Sequence, residues 1–310
     1  MSGVCAFWYT IFLECGIVVV GGERELKQIF DLHIHTKCSD GELSVEELIA
    51  EIRKYGIEFF SITDHDTTAA LEEIEKNDIG DLKFIRGIEF SSILDQKYKM
   101  HILGYNIDTN CKDIIDTTKK LKKARSDRFC EMATILLEKY NFQFEEERLN
   151  EVIKTVNIPG KPHLAKLMVE KGYVESVAEA FEKYLNDIKT TISNRIDAKT
   201  AINAIKKSDG IAIWAHPKKV EKQYNIDFEE ILPRLLDLGL DGIEIYNSLH
   251  SLADCKRYEN TARSRNLITS GGSDFHGIRT KPNVKLGEVF NSGEEYKINV
   301  DDISVLSLLK

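Results

Sequence analysis

The chain has 310 residues, 42% of them apolar, and a formal net charge of −9. Its length and mixed composition indicate a globular protein with one large domain, or one domain and an insertion. The negative charge argues against a protein that coats duplex nucleic acid, because such proteins present a basic face. An acidic protein can still act on phosphate esters when bound metal ions supply local positive charge.

Residues 1–28 form a predicted N-terminal extension outside the fold. Val4–Val20 is largely apolar, but Glu14 interrupts it, and it is short of the roughly 20 residues that span a membrane. A signal peptide is a poor alternative, because no small-residue cleavage site stands out. We favour the hypothesis that residues 1–25 are translated upstream sequence and that Leu26 is the natural start. The six cysteines lack disulfide-like spacing, which is typical of a reducing cytoplasm.

Strands and helices then alternate up to residue 106. The predicted strands are Ile29–His35, Ile57–Thr63, Lys83–Phe90 and Lys99–Tyr105. The predicted helices are Ser44–Tyr55, which opens with the capping box Ser44-x-x-Glu47, and Ala69–Lys76. This alternation predicts a mainly parallel α/β sheet or barrel.

The pattern changes to successive helices between residues 107 and 194, which we interpret as a helical insertion. Its predicted helices are Asp113–Tyr140, Glu145–Lys154, His163–Lys171 and Ser176–Asn186. Alternation then resumes, so the barrel is assigned to residues 29–106 and 195–310. Its later strands are Gly210–Ala215, Gly242–Tyr246 and Leu267–Gly271, and its later helices are Ala198–Lys207, Phe228–Leu238 and Leu252–Arg265.

Imidazole and carboxylate side chains recur where the predicted strands end. The pair His33-x-His35 lies on one strand face, and Asp40 in the next turn can reach the same cation. The candidate metal ligands are His33, His35, Asp40, His65, Glu89, His101, His216, Asp274 and His276. All but His101, which lies within a strand, are at or just after a strand's C-terminal end. In barrels and open α/β sheets, sites are built at that edge.

These ligands exceed the needs of one tetrahedral ion. We therefore expect two or three divalent ions with Glu89 as the bridge, and ligands without thiolates suit Mn, Zn or Fe. Each residue alone has a structural alternative: His101 as a core histidine, Asp66 as a helix cap, Asp274 as a turn residue. Together, these alternatives would leave one edge crowded with imidazoles and carboxylates that bind nothing.

Five segments resemble motifs of the polymerase and histidinol phosphatase (PHP) superfamily. They are Asp31-x-His33-x-His35, Thr63-Asp64-His65-Asp66, Gly87-Ile88-Glu89, Ala215-His216-Pro217 and Gly272-Ser273-Asp274-x-His276. The resemblance implies a distorted (β/α)7 barrel with a trinuclear site. It implies one metal held by His33, His35, Glu89 and Asp274, a second by Asp40, His65 and His276, and a third by Glu89, His101 and His216.

The insertion resembles the helical lid of one PHP branch. The matching segments are Gly160-Lys161-Pro162-His163-Leu164-Ala165, Glu179-Ala180-Phe181-x-x-Tyr184-Leu185 and Ala201-x-x-Ala204-Ile205. That branch comprises nucleoside 3',5'-bisphosphate phosphatases that also trim short RNA from its 5' end. It has arginine where Lys161 stands here, and lysine keeps the charge but loses bidentate phosphate binding.

We therefore predict a metal-dependent phosphoesterase that acts on a small phosphorylated nucleotide or on short RNA. Metals would lower the pKa of a bridging water, and the resulting hydroxide would attack phosphorus. Glu89, Asp274 and Asp66 are the predicted catalytic residues, and the proton donor is left open between Asp66 and a metal-bound water. No membrane or duplex nucleic-acid partner is expected, and the oligomeric state is not predicted.

The predicted substrate-binding residues are Arg125, Arg128, Lys161, His163, Asn247 and His250. The two arginines share one helix face, with a solvated face as the alternative, and His163 begins a helix, where anions are favoured. Two other functions stay open. A histidinol-phosphate phosphatase would lack the lid motif, and a non-catalytic metal- or nucleotide-binding scaffold should have lost ligands.

Overall fold

A nearly closed barrel of seven strands forms the centre of the protein. The computed structural model describes residues 30–289, 298 and 302–308, so the predicted extension lies outside the described residues. The strands are β1 (Phe30–Ile34), β2 (Phe59–Ile62), β3 (Lys83–Leu94), β4 (Tyr98–Tyr105), β5 (Ile196–Asp197), β6 (Ile211–Trp214), β7 (Gly242–Asn247) and β8 (Ile268–Gly272). Seven of them pair in the order β1-β2-β3-β4-β6-β7-β8, while the short β5 pairs with β3.

The two ends of this sheet meet through the segment after β8. The Asp274 amide donates to the His33 carbonyl at 2.9 Å, and the His35 amide donates to the Phe275 carbonyl at 2.9 Å. These two hydrogen bonds hold the segment after β8 against β1. They therefore also bring together the motifs His33-x-His35 and Asp274-x-His276, which are far apart in the sequence.

The barrel is mainly parallel, as the sequence predicts, and only β4 makes it mixed. This strand is antiparallel to both β3 and β6, whereas the other neighbours in the seven-strand order are parallel. A tight turn joins β3 to β4, with φ of 51° at Asp95 and 55° at Gln96. A parallel pair needs a crossover of a dozen or more residues. The short gap between the two predicted strands therefore already favoured a hairpin.

Helices cover the outside of the barrel. They are α1 (Val45–Tyr55), α2 (Ala69–Ile74), α7 (Ala198–Lys207), α8 (Pro217–Tyr224), α9 (Phe228–Asp237), α10 (Leu252–Arg265) and α11 (Ser304–Ser307). The predicted capping box is present at Ser44, whose side chain accepts from the Glu47 amide. The helix α8 was not predicted. Large buried side chains such as Phe30, Phe90 and Trp214 fill the space between helices and sheet.

Four helices lie between β4 and β5. They are α3 (Lys112–Tyr140), α4 (Glu146–Thr155), α5 (Lys161–Glu170) and α6 (Val177–Ala180), and a π-helical turn, Phe181–Leu185, continues α6. Phe129, Leu136 and Leu164 belong to a hydrophobic cluster separate from that of the barrel, whereas Ile114 and Leu121 in the first half of α3 pack in the barrel's cluster. We call these helices the lid. Within the described ranges, no helix has the length and apolarity needed to cross a membrane.

Candidate metal centre

The predicted ligands meet at one rim of the barrel because of how the strands end. His33 and His35 lie at the end of β1, and His65 follows β2. Glu89 lies in the middle of β3, since this strand continues past the rim into the hairpin, and a parallel bridge sets it level with His65. His101 lies in the first half of β4, which reaches the same rim because the strand runs in the opposite direction.

Glu89 is the centre of the cluster and is fully buried. Its Oε1 lies 2.9 Å from His101 Nδ1, 3.0 Å from His216 Nε2 and 3.3 Å from His33 Nε2. Its Oε2 lies 2.8 Å from His65 Nδ1 and 3.4 Å from His35 Nε2. One carboxylate therefore contacts five imidazoles.

The potential ligand atoms form three overlapping groups, each with its atoms within 4.8 Å of one another. The groups are His33, His35, Glu89 and Asp274; His35, Asp40, His65 and His276; and His65, Glu89 and His101. The first equals the first set implied by the resemblance. The second adds His35, and the third has His65 where the resemblance implies His216. Asp40 is the most exposed candidate, with 43% of its side chain accessible.

Several ligand atoms in this cluster are buried and make no hydrogen bond of suitable angle among the described residues, although some of them lie close to one another. They are His33 Nε2, both ring nitrogens of His35, His65 Nδ1, Glu89 Oε2 and His216 Nδ1. Burying unpaired polar atoms is costly, and a cation would give these atoms their partner. The clusters therefore indicate a multinuclear metal site, and their nitrogen and oxygen donors fit divalent ions.

Charge balance within the cluster agrees with this assignment. Burial alone would raise the pKa of Glu89, but His101, His65 and His33 hold it well below its usual value. Burial would likewise lower the pKa of His33, but Glu244 and Glu89 raise it well above its usual value. The neighbouring carboxylates likewise raise the pKa of His65, whereas burial lowers the pKa of His101, His35 and His216, so the histidines of the cluster differ in how strongly they hold a proton.

Two further buried carboxylates hold the rim segments. Asp31 accepts from the Ser273 amide and hydroxyl at 2.9 and 2.6 Å and from the Gly287 amide at 2.9 Å. Asp64 accepts from the Thr36 amide at 2.7 Å and its hydroxyl at 2.5 Å. Burial raises the pKa of each to about 6. Both residues fix turns that carry ligands.

Asp66 connects the barrel to the lid. Its backbone has φ 57°, and its Oδ1 accepts from the Ser91 amide at 2.7 Å. Its Oδ2 accepts from Arg125 Nε at 2.9 Å and from a second nitrogen of the same guanidinium. Asp66 is therefore engaged by an arginine, which favours a positioning role over proton donation. Arg125 is bonded to Asp66 through two of its guanidinium nitrogens, and its role in substrate binding stays a prediction.

Arg128, Lys161 and His163 line the same side of the lid. Burial and the nearby Arg125 lower the pKa of Arg128, and burial and Arg128 lower the pKa of Lys161. Arg128 also donates to the Thr190 hydroxyl at 2.8 Å. Burial lowers the pKa of His163, and the carboxylate of Asp40 opposes that shift. Arg128 and Lys161 are therefore neighbouring cations on the lid, and His163 is the lid residue that a candidate metal ligand, Asp40, acts on.

Asn247 and His250, the other two predicted substrate-binding residues, are held by hydrogen bonds inside the protein. Both are fully buried. Asn247 Nδ2 donates to Glu244 Oε2 at 3.1 Å, and His250 Nδ1 lies 2.6 Å from the Ile245 carbonyl. His250 packs against Tyr258 behind the rim. A role for these two residues in substrate binding stays a prediction.

We expect His250 to make the protein sensitive to acid. Burial lowers the pKa of His250 from 6.5 to about 4, so the folded state binds fewer protons than the unfolded chain between these pH values. Stability from this group is therefore present above pH 6.5 and is lost as the pH falls towards 4, by about 2–3 kcal/mol. Urea unfolding of wild type and His250→Gln at pH 7.5 and 4.5 measures it. A stability difference between them that is unchanged by pH would contradict this assignment.

Three residues near the site were not predicted from the sequence. Glu244 on β7 contacts His33, Lys281 Nζ lies 2.7 Å from Asp274 Oδ2, and Arg195 donates to the Ser92 and Met100 carbonyls. Of these three residues, only Glu244 could have been identified as a site residue from the sequence. A carboxylate inside an apolar buried strand requires a partner.

The mixed barrel and its buried histidine–carboxylate clusters define a metal-dependent hydrolase. The sequence model of the PHP domain matches residues 31–196, and this match covers more than half of the chain. The chain belongs to the PHP family and is a phosphoesterase hydrolase of that type, which confirms the family, the fold and the enzyme class predicted from the sequence.

Several known proteins are similar over most of the chain. The 5'-3' exoribonuclease Rnm of Escherichia coli is 30% identical over 80% of this chain and 85% of its own length. The phosphoribosyl 1,2-cyclic phosphate 1,2-diphosphodiesterase of Eggerthella lenta is 28% identical over 80% and 94%. The 3',5'-nucleoside bisphosphate phosphatase of Chromobacterium violaceum is 27% identical over 79% and 86%. A solved structure from Bifidobacterium adolescentis has a TM-score of 0.69 and 27% identity, over 85% of this chain and 92% of that one.

Proposed function

We propose that the protein hydrolyses the 3'-phosphate of nucleoside 3',5'-bisphosphates and trims short RNA from its 5' end. One observation carries the proposal: Arg125 ties the lid to the rim at Asp66, and two further lid cations, Arg128 near Arg125 and Lys161 near Arg128, form a row that starts there. Such a site can bind one phosphate at the metals and a second at the lid. The names of the relatives from Escherichia coli and Chromobacterium violaceum support this substrate class.

Each part of the site contributes separately to the reaction. Bound divalent ions would supply a water of lowered pKa and offset charge on phosphate oxygens. Glu89 and Asp274 hold the surrounding imidazoles in one arrangement, and the Asp66–Arg125 pair fixes the lid over the rim. His163 stays neutral because burial lowers its pKa, so its ring can donate a hydrogen bond to a phosphate oxygen.

The lid favours this function over the two open alternatives. A histidinol-phosphate phosphatase has one phosphate to bind and gives no role to the cation row. A scaffold without activity gives no reason for all nine candidate ligands to be present in the chain. The Eggerthella lenta relative adds a cyclic phosphodiester to the substrates that must be compared.

We expect manganese-loaded protein to release phosphate from 3'-phosphoadenosine 5'-phosphate, and Asp274→Asn to lower the rate by about 100-fold. Asp274 Oδ1 lies 3.3 Å from His35 Nε2 and 3.5 Å from His33 Nε2, so the amide would weaken the first ligand group. Phosphate release is measured for both proteins. Asp254→Asn, which changes a carboxylate paired with Lys218, is the matched control.

The same assay is run on histidinol phosphate, on a 1,2-cyclic ribose phosphate and on 5'-phosphorylated short RNA. Activity on the bisphosphate or the RNA, with little on the first two, supports the proposed substrate class. Activity only on histidinol phosphate or only on the cyclic phosphate would overturn it. Equal rates for wild type and Asp274→Asn would contradict the catalytic assignment.

A further inference from the structure

We infer that Glu244 is a positioning residue that holds two of the proposed metal ligands, His33 and His216. This inference rests on the proposed metal site. Glu244 lies in β7 and is fully buried. Its two carboxylate oxygens contact different ligand residues: Oε1 lies 2.8 Å from His33 Nδ1, and Oε2 accepts the His216 amide at 2.7 Å.

The first contact sets the orientation of the His33 ring. Glu244 has no proton to give when ionised, so the hydrogen in this bond lies on His33 Nδ1. The opposite nitrogen, Nε2, then faces Glu89 Oε1 at 3.3 Å and Asp274 Oδ1 at 3.5 Å. A carboxylate that accepts from one ring nitrogen fixes the tautomer in which the other nitrogen can bind a metal.

The second contact supports an unfavourable backbone conformation. His216 has φ 31° and ψ 65°, a left-handed conformation that is unfavourable for a non-glycine residue unless its surroundings hold it. The hydrogen bond from its amide to Glu244 helps to hold this conformation. With the backbone held in this way, His216 Nε2 lies 3.0 Å from Glu89 Oε1.

Apart from His33 and His216, no charged residue among the described ones accounts for a carboxylate buried at position 244. No lysine or arginine among the described residues forms an ion pair with it, and its one charged partner is His33. Asn247 Nδ2 donates to Glu244 Oε2 at 3.1 Å and to the Gly272 carbonyl at 3.4 Å. Asn247 therefore orients Glu244, which explains a buried polar side chain at the end of β7.

Glutamine at this position separates positioning from packing. It has nearly the same size, but only one of its two polar atoms accepts hydrogen bonds. If the amide oxygen accepts from His33, the amide nitrogen faces the His216 N–H and that hydrogen bond is lost. If the amide is turned round, its oxygen accepts from His216 and the hydrogen bond from His33 is lost. Glu244→Gln should therefore fold but support only one of the two ligands.

The test measures cation affinity without substrate. Manganese and zinc are titrated into wild type, Glu244→Gln and Glu221→Gln in competition with a chromophoric chelator. Glu221 is the control, because it is a mostly buried carboxylate that pairs with Arg257 away from the rim. We expect Glu244→Gln to bind at least one ion 10–100-fold more weakly, and the control to bind as wild type does.

Two further measurements keep the inference falsifiable. Nitrogen-15 spectra of the zinc-loaded proteins report the His33 tautomer, which a purely structural role for Glu244 would leave unchanged. If Glu244→Gln does not fold, Asn247→Ala replaces it, with a smaller expected loss of affinity. Wild-type affinity together with an unchanged His33 tautomer in the variant would overturn the inference.

Failure of the proposed function gives a different result. If wild type itself binds no cation, the metal site is wrong, and a crystal structure of Glu244→Gln then decides the positioning role. An unmoved His33 ring and an unmoved His216 backbone would refute that role as well. Displacement of either residue would support it independently of catalysis.

Discussion

Replacing Glu89 with glutamine is expected to lower phosphate release by about 1,000-fold, a loss of about 4 kcal/mol of transition-state stabilisation. Glu89 contacts five imidazoles and belongs to two of the three ligand groups. The amide is nearly the same size but carries no charge. The variant therefore tests the charge of the bridge and changes the packing little.

Two readouts distinguish a lost bridge from a lost fold. Metal content after dialysis should fall by one or more ions per chain, because both groups that contain Glu89 are affected. Thermal unfolding of the metal-free variant should remain a single cooperative transition, at a temperature below that of wild type, because the amide removes the charge partner of the surrounding imidazoles. Full activity with full metal content would show that Glu89 does not bridge the ions.

Removing Glu89 has a larger expected effect than removing Asp274 because of where each lies. Glu89 is enclosed on all sides by the cluster. Asp274 lies at its edge, where its Oδ1 faces His33, His35 and His276 and its Oδ2 pairs with Lys281. The remaining ligands of the first group can still hold an ion when Asp274 becomes an amide. Glu89→Gln should therefore lower the rate of phosphate release more than Asp274→Asn does.

Local sequence signals were sufficient for most elements of the barrel. The capping box at Ser44 placed the start of α1, and the alternation of apolar strands with amphipathic helices predicted α7 and α10 with unchanged bounds. The direction of β4 was not predicted. The apolar run of β4 carries no information on strand direction by itself, and the one signal in the sequence is the short gap after β3, which favours a hairpin.

The same limit applies to the residues around the metal cluster. Ligands such as His33 and His65 follow strands and could be predicted to converge, since strand ends share a rim. Arg125 and Asp66 are far apart in sequence, and their pairing depends on how the lid sits on the barrel. The position of His250 in the loop between β7 and α10 follows from the sequence. Its complete burial depends on the packing of that loop, which a local sequence pattern does not predict.

Gly272→Ala is expected to destabilise the folded protein by about 3 kcal/mol or more and to weaken cation binding. A Cβ at Gly272 would lie 2.2 Å from the His33 amide nitrogen and 2.4 Å from the His33 Cβ. Both atoms belong to the neighbouring strand, so relief requires β8 to move away from β1. That movement breaks the hydrogen bond from the Asp274 amide to the His33 carbonyl and separates two members of the first ligand group.

This substitution tests whether barrel closure and metal binding are one property of the fold. Urea unfolding and chelator competition are measured for Gly272→Ala and for Gly160→Ala. At Gly160 the added Cβ meets only Pro162 Cδ, at 3.8 Å, so the control carries the same chemical change without the crowding. Because β8 supplies Asp274 and β1 supplies His33, any shift between the strands must weaken both stability and cation affinity. A variant that lost stability but kept wild-type affinity would show that the ligands are held by their loops rather than by closure of the sheet.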